Sequence, residues 1–99
     1  MLTLTILSRA DCHLCHVAVK MARALQSELP FEMTEVDIDG DAGLTARYGE
    51  RIPVVLIDGV ERLAGKITEG ELRRAVKRAR WRRPISRILS RLRQWRRRG

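Results

Sequence analysis

The chain has 99 residues and a formal net charge of +8, from 20 Lys and Arg against 12 Asp and Glu. This length supports one compact domain and excludes a multidomain enzyme, while 44% hydrophobic and 32% charged residues exclude a wholly disordered chain. The charge is unevenly distributed, because residues 1–79 have a balance of −1 and residues 80–99 have nine arginines and no acid, a balance of +9. We therefore expect a near-neutral domain at 1–79 and an Arg-rich extension at 80–99.

The beginning of the chain has no feature typical of an export signal. Residues 1–7 have no basic segment before the apolar positions, and no small-residue cleavage site follows them. The longest uninterrupted aliphatic run, at 54–57, is four residues, far below the ~18 of a spanning helix. We therefore expect a cytoplasmic protein, and in that reducing compartment a cysteine pair is more typical of redox or metal chemistry than of a structural disulfide.

The first half of the chain predicts a strand, a long helix and a second strand. Residues 2–7 alternate apolar side chains with threonine and predict a strand. Apolar residues then recur at helical spacing over 12–29, up to Pro30, and at strand spacing over 31–38. A strand–helix–strand unit of this size predicts two parallel strands joined by a right-handed crossover.

The second half predicts a short helix, a hairpin and a third helix. The short helix spans 42–48 and ends at Gly49, and an Asp58-Gly59 turn separates strands at 54–57 and 60–63. Thr68 and Glu71 form a capping box, with Ile67 and Leu72 as the hydrophobic staple. The third helix should bury four residues, namely Leu72, Ala75, Val76 and Ala79. The order βαβαββα predicts an α/β fold, with a mixed four-stranded sheet flanked by helices.

The two cysteines of the chain, Cys12 and Cys15, are three residues apart where the first strand gives way to the first helix. At a helix N-terminus the backbone N–H groups and the helix dipole stabilise a thiolate. Arg9 and His13 should favour the anion at Cys12, and Asp11 should oppose it. A CxxC pair that opens a helix in a βαβ unit indicates redox chemistry more strongly than two structural thiols.

These residues resemble a small glutaredoxin-like member of the thioredoxin superfamily over residues 2–79. The resemblance is carried by LTILSRADCHLC, RIPVV, the Asp58-Gly59 hairpin and LAGKITEGEL. It implies that Cys12 attacks a disulfide and Cys15 resolves the mixed disulfide, and that Pro53 is a cis-proline facing the cysteines. It further implies that the backbone of Ile52 pairs with a bound thiol substrate, and that Arg9 matches the position that binds a glutathione carboxylate.

The sequence departs from the usual glutaredoxin pattern at several of these positions. His13 and Leu14 stand between the cysteines in place of Pro-Tyr, and Arg51 stands in place of a threonine. The glycine pair before the last helix is Ala64-Gly65, and Gly65 is assigned to the substrate site with Arg9, His13, Ile52 and Pro53. The resemblance implies a monomer that reduces protein disulfides or glutathione mixed disulfides, with glutathione as a co-substrate and no tightly bound cofactor. His13 is either a group that tunes Cys12 or an exposed residue with little effect.

Other functions compete for the same cysteines. The segment from Cys12 to His16 also fits CxxCH, the attachment pattern of c-type haem, although that chemistry belongs outside the cytoplasm. A structural zinc site needs four ligands, and the sequence has no second CxxC or His pair to complete one. An iron–sulfur cluster shared between two subunits, as in some glutaredoxins, is a further alternative. The alternative to an enzyme is a non-enzymatic redox-sensing, metal-binding or iron–sulfur-binding module that the basic extension targets to a membrane surface or to nucleic acid.

The basic extension has its own possible functions. After Pro84, five apolar residues follow helical spacing in an otherwise Arg-rich segment, namely Ile85, Ile88, Leu89, Leu92 and Trp95. A basic amphipathic helix fits an anionic membrane surface or an acidic protein, and arginines equally fit nucleic-acid phosphates. Two further alternatives stay open: the segment packs on the domain as a further helix, or it is a disordered tail.

Overall fold

The computed structural model describes residues 1–81. Of the extension expected at residues 80–99, only Arg80 and Trp81 are described, as the last residues of a helix, and the rest lies outside the described residues. Four strands form one mixed sheet in the order β2-β1-β3-β4. They are β1 (Leu2–Ser8), β2 (Phe31–Asp37), β3 (Val54–Ile57) and β4 (Val60–Ala64). β1 pairs with β2 in parallel and with β3 antiparallel, and β3 pairs antiparallel with β4. The predicted α/β, thioredoxin-like topology is confirmed.

Three helices flank this sheet within the described residues: α1 (His13–Gln26), α2 (Ala42–Tyr48) and α3 (69–81). The first helix was predicted to reach residue 29 but ends at Gln26, where the Ser27 hydroxyl and N–H both donate to the Ala24 carbonyl. Leu29 lies beyond the end of α1, but its N–H still donates to the Leu25 carbonyl at 2.9 Å, as in a helix. Its side chain therefore still packs on the core, as the helical spacing predicted.

The second strand ends one residue earlier than predicted. Ile38 begins a single 3-10 turn (Ile38–Gly40), because the Asp37 side chain accepts a hydrogen bond from the Asp39 N–H at 2.9 Å. Ile38 itself is fully buried. The apolar side chain at position 38 suggested that the strand continues. It is apolar because Ile38 is buried, not because it belongs to β2.

The core lies on both faces of the sheet. On one face, residues of β1 and β3 pack against α1 and α3, with Leu4, Ile6, Val55 and Leu72 at 1% exposure or less. All four residues predicted to face inward from the third helix belong to this cluster or pack against it. On the other face, Leu7, Ile38, Val54 and the α2 residue Tyr48 form a second cluster. Burying a side chain of this size stabilises the fold by roughly 1.5–3 kcal/mol.

Local signals place the hairpin and the end of α2 where they were predicted. Asp58 and Gly59 both have positive φ, 50° and 82°, as a two-residue type I′ turn requires. Gly49 ends α2 at an ordinary φ of −53°, and a Cβ there would lie 2.5 Å from the Thr45 carbonyl oxygen. Glycine at position 49 therefore allows a close approach of the backbone rather than a left-handed conformation.

The register of the strands brings four connections to one end of the sheet. Ser8 at the end of β1 lies beside Asp37 at the end of β2. Leu7 lies beside Val54 at the start of β3, and Val54 lies beside Ala64 at the end of β4. The segments that follow Ser8, Asp37 and Ala64, and the one that precedes Val54, therefore leave the sheet at the same end. Within residues 1–81, no helix is long and apolar enough to cross a membrane.

Candidate active site

Cys12 is the N-cap residue of α1, with φ −100° and ψ 108°. A turn after β1 places it there, because its N–H donates to the Arg9 carbonyl at 3.2 Å. Its Sγ atom accepts a hydrogen bond from the Cys15 N–H at 3.2 Å. The sulfur thus occupies the position that a serine or aspartate oxygen takes in an ordinary N-cap, where the free N–H groups and the positive end of the helix dipole favour a negative charge.

Cys12 and Cys15 form a disulfide, with their Cα atoms 5.2 Å apart. Cys12 is partly exposed, whereas Cys15 is fully buried in the first turn of α1. An incoming reagent therefore reaches the sulfur of Cys12 before that of Cys15.

The loop before β3 contains a cis peptide bond between Ile52 and Pro53, as the resemblance implied. Pro53 is fully buried and Ile52 is half-buried. The Gly65 N–H, after β4, donates to the carbonyls of both Arg51 and Pro53, at 3.0 and 2.9 Å. Gly65 has a φ of +77°, which favours glycine, so β4 and this residue hold the proline loop at the end of the sheet where the cysteines lie.

Arg9 is engaged within the protein. Its Nε donates to Asp39 Oδ1 at 2.6 Å, with the two side chains 28% and 53% exposed. Asp39 belongs to the 3-10 turn after β2, and the parallel pairing of β1 and β2 brings that turn beside the segment after β1. Sequence reasoning missed Asp39 as a partner, although the predicted parallel strands offered a signal for it.

His13 lies next to Cys12 in the chain, and Arg51 precedes the proline loop. His13 is the exposed first residue of α1. The Arg51 side chain forms an ion pair with Glu61 on β4, with Nη1 to Oε2 at 2.9 Å. The guanidiniums of Arg51 and Arg47 lie 5.2 and 5.3 Å from the centre of the Tyr48 ring. Two cations therefore stack on one buried tyrosine beside the proline loop, an arrangement that the sequence did not indicate.

Metal binding by the cysteines would require ligands from elsewhere. In the part of the chain that the structure describes, no three side chains of His, Cys, Asp or Glu lie together as a ligand set. Cys12 and Cys15 offer two sulfurs, whereas a structural zinc site takes four protein ligands.

The mixed sheet, the CxxC disulfide at the start of α1 and the cis-proline before β3 define a thioredoxin-fold protein of the redox class. The chain belongs to the family described as Glutaredoxin-like domain (DUF836), whose model matches residues 3–77. It is 38% identical over 79 residues to the uncharacterized protein Rv0508 of Mycobacterium tuberculosis, covering 75% of this chain and 81% of the relative.

Two solved structures show the same likeness. The X-ray structure of the structural genomics target XcR50 from X. campestris superposes with a TM-score of 0.63 at 36% identity, covering 75% of this chain and 95% of that protein. The X-ray structure of Fasciola hepatica thioredoxin superposes with a TM-score of 0.60 at 26% identity, covering 78% and 79%. The predicted glutaredoxin-like family and thioredoxin-like fold are therefore confirmed.

Proposed function

We propose that this protein is a dithiol oxidoreductase that reduces disulfides by thiol–disulfide exchange. The observation that carries the proposal is the pairing of a partly exposed N-cap cysteine, Cys12, with the fully buried Cys15 in one disulfide. Both cysteines come from one turn of one chain, so the reaction needs a single subunit, and we propose a monomer. The reducing cytoplasm is the proposed setting, since it returns such a pair to the dithiol.

The reaction consists of two exchanges. The Cys12 thiolate attacks one sulfur of the substrate disulfide, the substrate S–S bond breaks, and the departing substrate sulfur takes up a proton. Cys15 then loses its proton and attacks the Cys12 sulfur, which releases the second substrate thiol and forms the Cys12–Cys15 disulfide. Two electrons and two protons pass to the substrate. Glutathione or a thioredoxin-type reductase is the proposed donor that restores the dithiol.

We assign substrate contacts to the residues around the cysteines. The backbone of Ile52 lies between the Arg51 and Pro53 carbonyls that accept from the Gly65 N–H, and it is proposed to pair with the substrate as an added strand. His13 is exposed next to Cys12 and is proposed to contact the substrate there. The Arg9–Asp39 ion pair favours a protein disulfide over glutathione as the substrate, because a glutathione carboxylate would have to compete with Asp39 for Arg9.

The test compares wild type, Cys15→Ser and Cys12→Ser on a glutathione mixed disulfide and on a protein disulfide. Cys12→Ser should be inactive on both substrates. Cys15→Ser should lose turnover on the protein disulfide and accumulate a mixed disulfide at Cys12, which intact-mass spectrometry detects. Turnover of the glutathione substrate by Cys15→Ser would indicate monothiol chemistry and contradict the dithiol route. Stoichiometric zinc or iron in anaerobically purified protein would instead favour the metal-binding module.

A further inference from the structure

A cleft of about 300 Å³ lies between β4 and α3, away from the cysteines. Arg62 lines it from β4, and Arg74 and Arg78, one turn apart, line it from α3. In the sheet, β3 separates β4 from β1, the strand that leads to Cys12. The cleft is therefore distinct from the candidate active site.

A bulge in the edge strand contributes to this arrangement. Val55 pairs with Leu63 and Leu56 pairs with Glu61, so Arg62 is the extra residue without a partner in the register. Such a residue is re-aimed relative to its neighbours in a regular strand. The bulge therefore gives Arg62 an orientation that regular strand alternation would not.

The three cleft arginines differ from the other arginines near the sheet in their partners. Arg9 forms an ion pair with Asp39, and Arg51 forms one with Glu61. Arg73 forms ion pairs with both Glu28 and Glu69. Within residues 1–81, none of the three cleft arginines forms an ion pair.

Among residues 1–81, the one carboxylate that lines the cleft belongs to Glu71, and it is already used in the helix cap. Its Oε1 accepts hydrogen bonds from the Thr68 N–H and hydroxyl, at 3.1 and 2.9 Å. The hydroxyl bond, then the backbone bond and, more weakly, the charge of Arg74 keep the pKa of Glu71 below its ordinary value, so the carboxylate is ionised at neutral pH. Counted over the described lining residues, three guanidiniums and one carboxylate give the cleft a net charge of +2.

The charge and the lining together indicate the class of ligand. A phosphomonoester carries about −1.5 to −2 at pH 7 and has three acceptor oxygens, whereas a carboxylate carries one charge and two oxygens. Guanidinium groups bind phosphate oxygens in a bidentate manner. The rest of the lining is apolar, from Leu63, Ala75 and Ala79, and suits the carbon body of a ligand.

We propose that the β4–α3 cleft is a binding site for a phosphate ester with an apolar body. Arg62, Arg74 and Arg78 hold the phosphate, and the apolar residues contact the attached group. The phosphate comes from a soluble ester or from a lipid headgroup, and the experiment separates these two sources. The site adds ligand binding to the proposed disulfide chemistry and does not depend on it.

The experiment titrates the full-length, ¹⁵N-labelled protein with phenyl phosphate and, in parallel, with benzoate. The test variant is the double substitution Arg62→Gln/Arg78→Gln. The matched control is Lys20→Gln/Arg23→Gln, which changes the net charge equally at exposed positions of α1 outside the cleft. Because both variants keep the basic residues after position 81, any phosphate binding by those residues is common to both.

Phenyl phosphate should shift the amide signals of Leu63 and Ala79, and benzoate should bind more weakly. The cleft variant should raise the Kd for phenyl phosphate at least about tenfold, and the control less than about twofold. Equal weakening by the two variants, equal affinity for benzoate, or no saturable shift at the cleft would overturn the proposal.

Vesicles of phosphatidylcholine with phosphatidic acid separate the two sources of phosphate. Weaker vesicle binding by the cleft variant than by the control assigns the cleft to a lipid headgroup. Equal vesicle binding by the two variants, together with the loss for phenyl phosphate, assigns it to soluble phosphate esters.

Discussion

The accessibility of the two cysteines differs because of their places in one helical turn. Cys12 precedes the helix and is partly exposed, while Cys15, three residues later, is fully buried under the same turn. The Cys15 N–H donates a hydrogen bond to the Cys12 sulfur. This hydrogen bond stabilises a negative charge on the Cys12 sulfur and not one on the Cys15 sulfur. Position in the helix therefore separates an attacking sulfur from a resolving one.

We predict that Cys12 is alkylated before Cys15 in the reduced protein. With iodoacetamide at neutral pH, Cys15→Ser, which retains Cys12, should react at least about tenfold faster than Cys12→Ser, which retains Cys15. Mass spectrometry of timed samples measures both rates, and the denatured variants, in which the two rates should be similar, provide the control. Faster alkylation of the buried thiol would contradict the assigned order of attack.

The Arg9–Asp39 ion pair leads to a prediction about substrate preference. Because both side chains are partly exposed, the pair should contribute only about 0.2–1 kcal/mol. Asp39→Asn should therefore raise kcat/KM for a glutathione mixed disulfide by up to about fivefold, with little change on a protein disulfide. Asp41→Asn removes a nearby charge that does not pair with Arg9, and it is the control. An unchanged preference in Asp39→Asn would remove Arg9 as a carboxylate-binding residue.

The positive φ of Gly65 leads to a third prediction. No atom lies within 4 Å of a Cβ at position 65, so Gly65→Ala should lose stability through its backbone conformation alone, by about 1–2 kcal/mol. Gly65→Asn should lose less, because asparagine tolerates the left-handed region. Gly40→Ala, which also has open space and no positive φ, should change little. Urea denaturation measures all three, and equal losses for Ala and Asn would contradict this cause.

At the scale of the elements, local chemistry made much of the fold predictable. The Asp58-Gly59 turn and the Thr68–Glu71 capping box depend on residues that are adjacent or three apart, and both occur as predicted. The cis bond before Pro53 followed from the family resemblance rather than from spacing.

Contacts between distant parts of the chain were not predictable in the same way. The Arg9–Asp39 pair joins residues 30 positions apart. The β4–α3 cleft depends on a bulge and on the approach of an edge strand to a helix. Neither arrangement leaves a periodic pattern in the sequence.

The capping box at the start of α3 leads to a pH-dependent prediction. Hydrogen bonds from Thr68 lower the pKa of Glu71 from its ordinary 4.5, so the ionised carboxylate stabilises the folded state more than the unfolded one. This contribution is complete above pH 4.5 and is lost as the pH falls through the lower folded-state pKa. Glu71→Gln should thus be less stable than wild type at pH 7, and the difference should shrink below pH 4.5.

Urea denaturation across this pH range measures the effect of the capping box. Glu50→Gln is the control, because it removes an exposed carboxylate with no hydrogen bond or ion pair within the described residues. Its difference from wild type should stay small at every pH. A Glu71→Gln difference that stays constant with pH would show that this ionisation is not linked to folding.

At the scale of the whole molecule, charge and core belong to different parts of the chain. Residues 1–81 contain twelve basic and twelve acidic side chains, so the entire net charge of +8 comes from residues 82–99. Within the described residues 1–81, the buried hydrophobic side chains lie between Leu2 and Val76. The proposed redox chemistry and the basic extension are therefore separable in principle.

We predict that a chain ending at Trp81 keeps the fold and the disulfide chemistry but loses electrostatic binding to DNA. Its free energy of unfolding should stay within about 0.5 kcal/mol of wild type, because the removed residues add none of the buried side chains described between Leu2 and Val76. Any binding of the full chain to DNA at low salt should weaken as salt rises and be absent from the shorter, neutral chain. Urea denaturation and binding assays at two salt concentrations measure these effects. A large loss of stability would instead show that the extension packs on the domain, and unchanged binding would assign the anion-binding surface to residues 1–81.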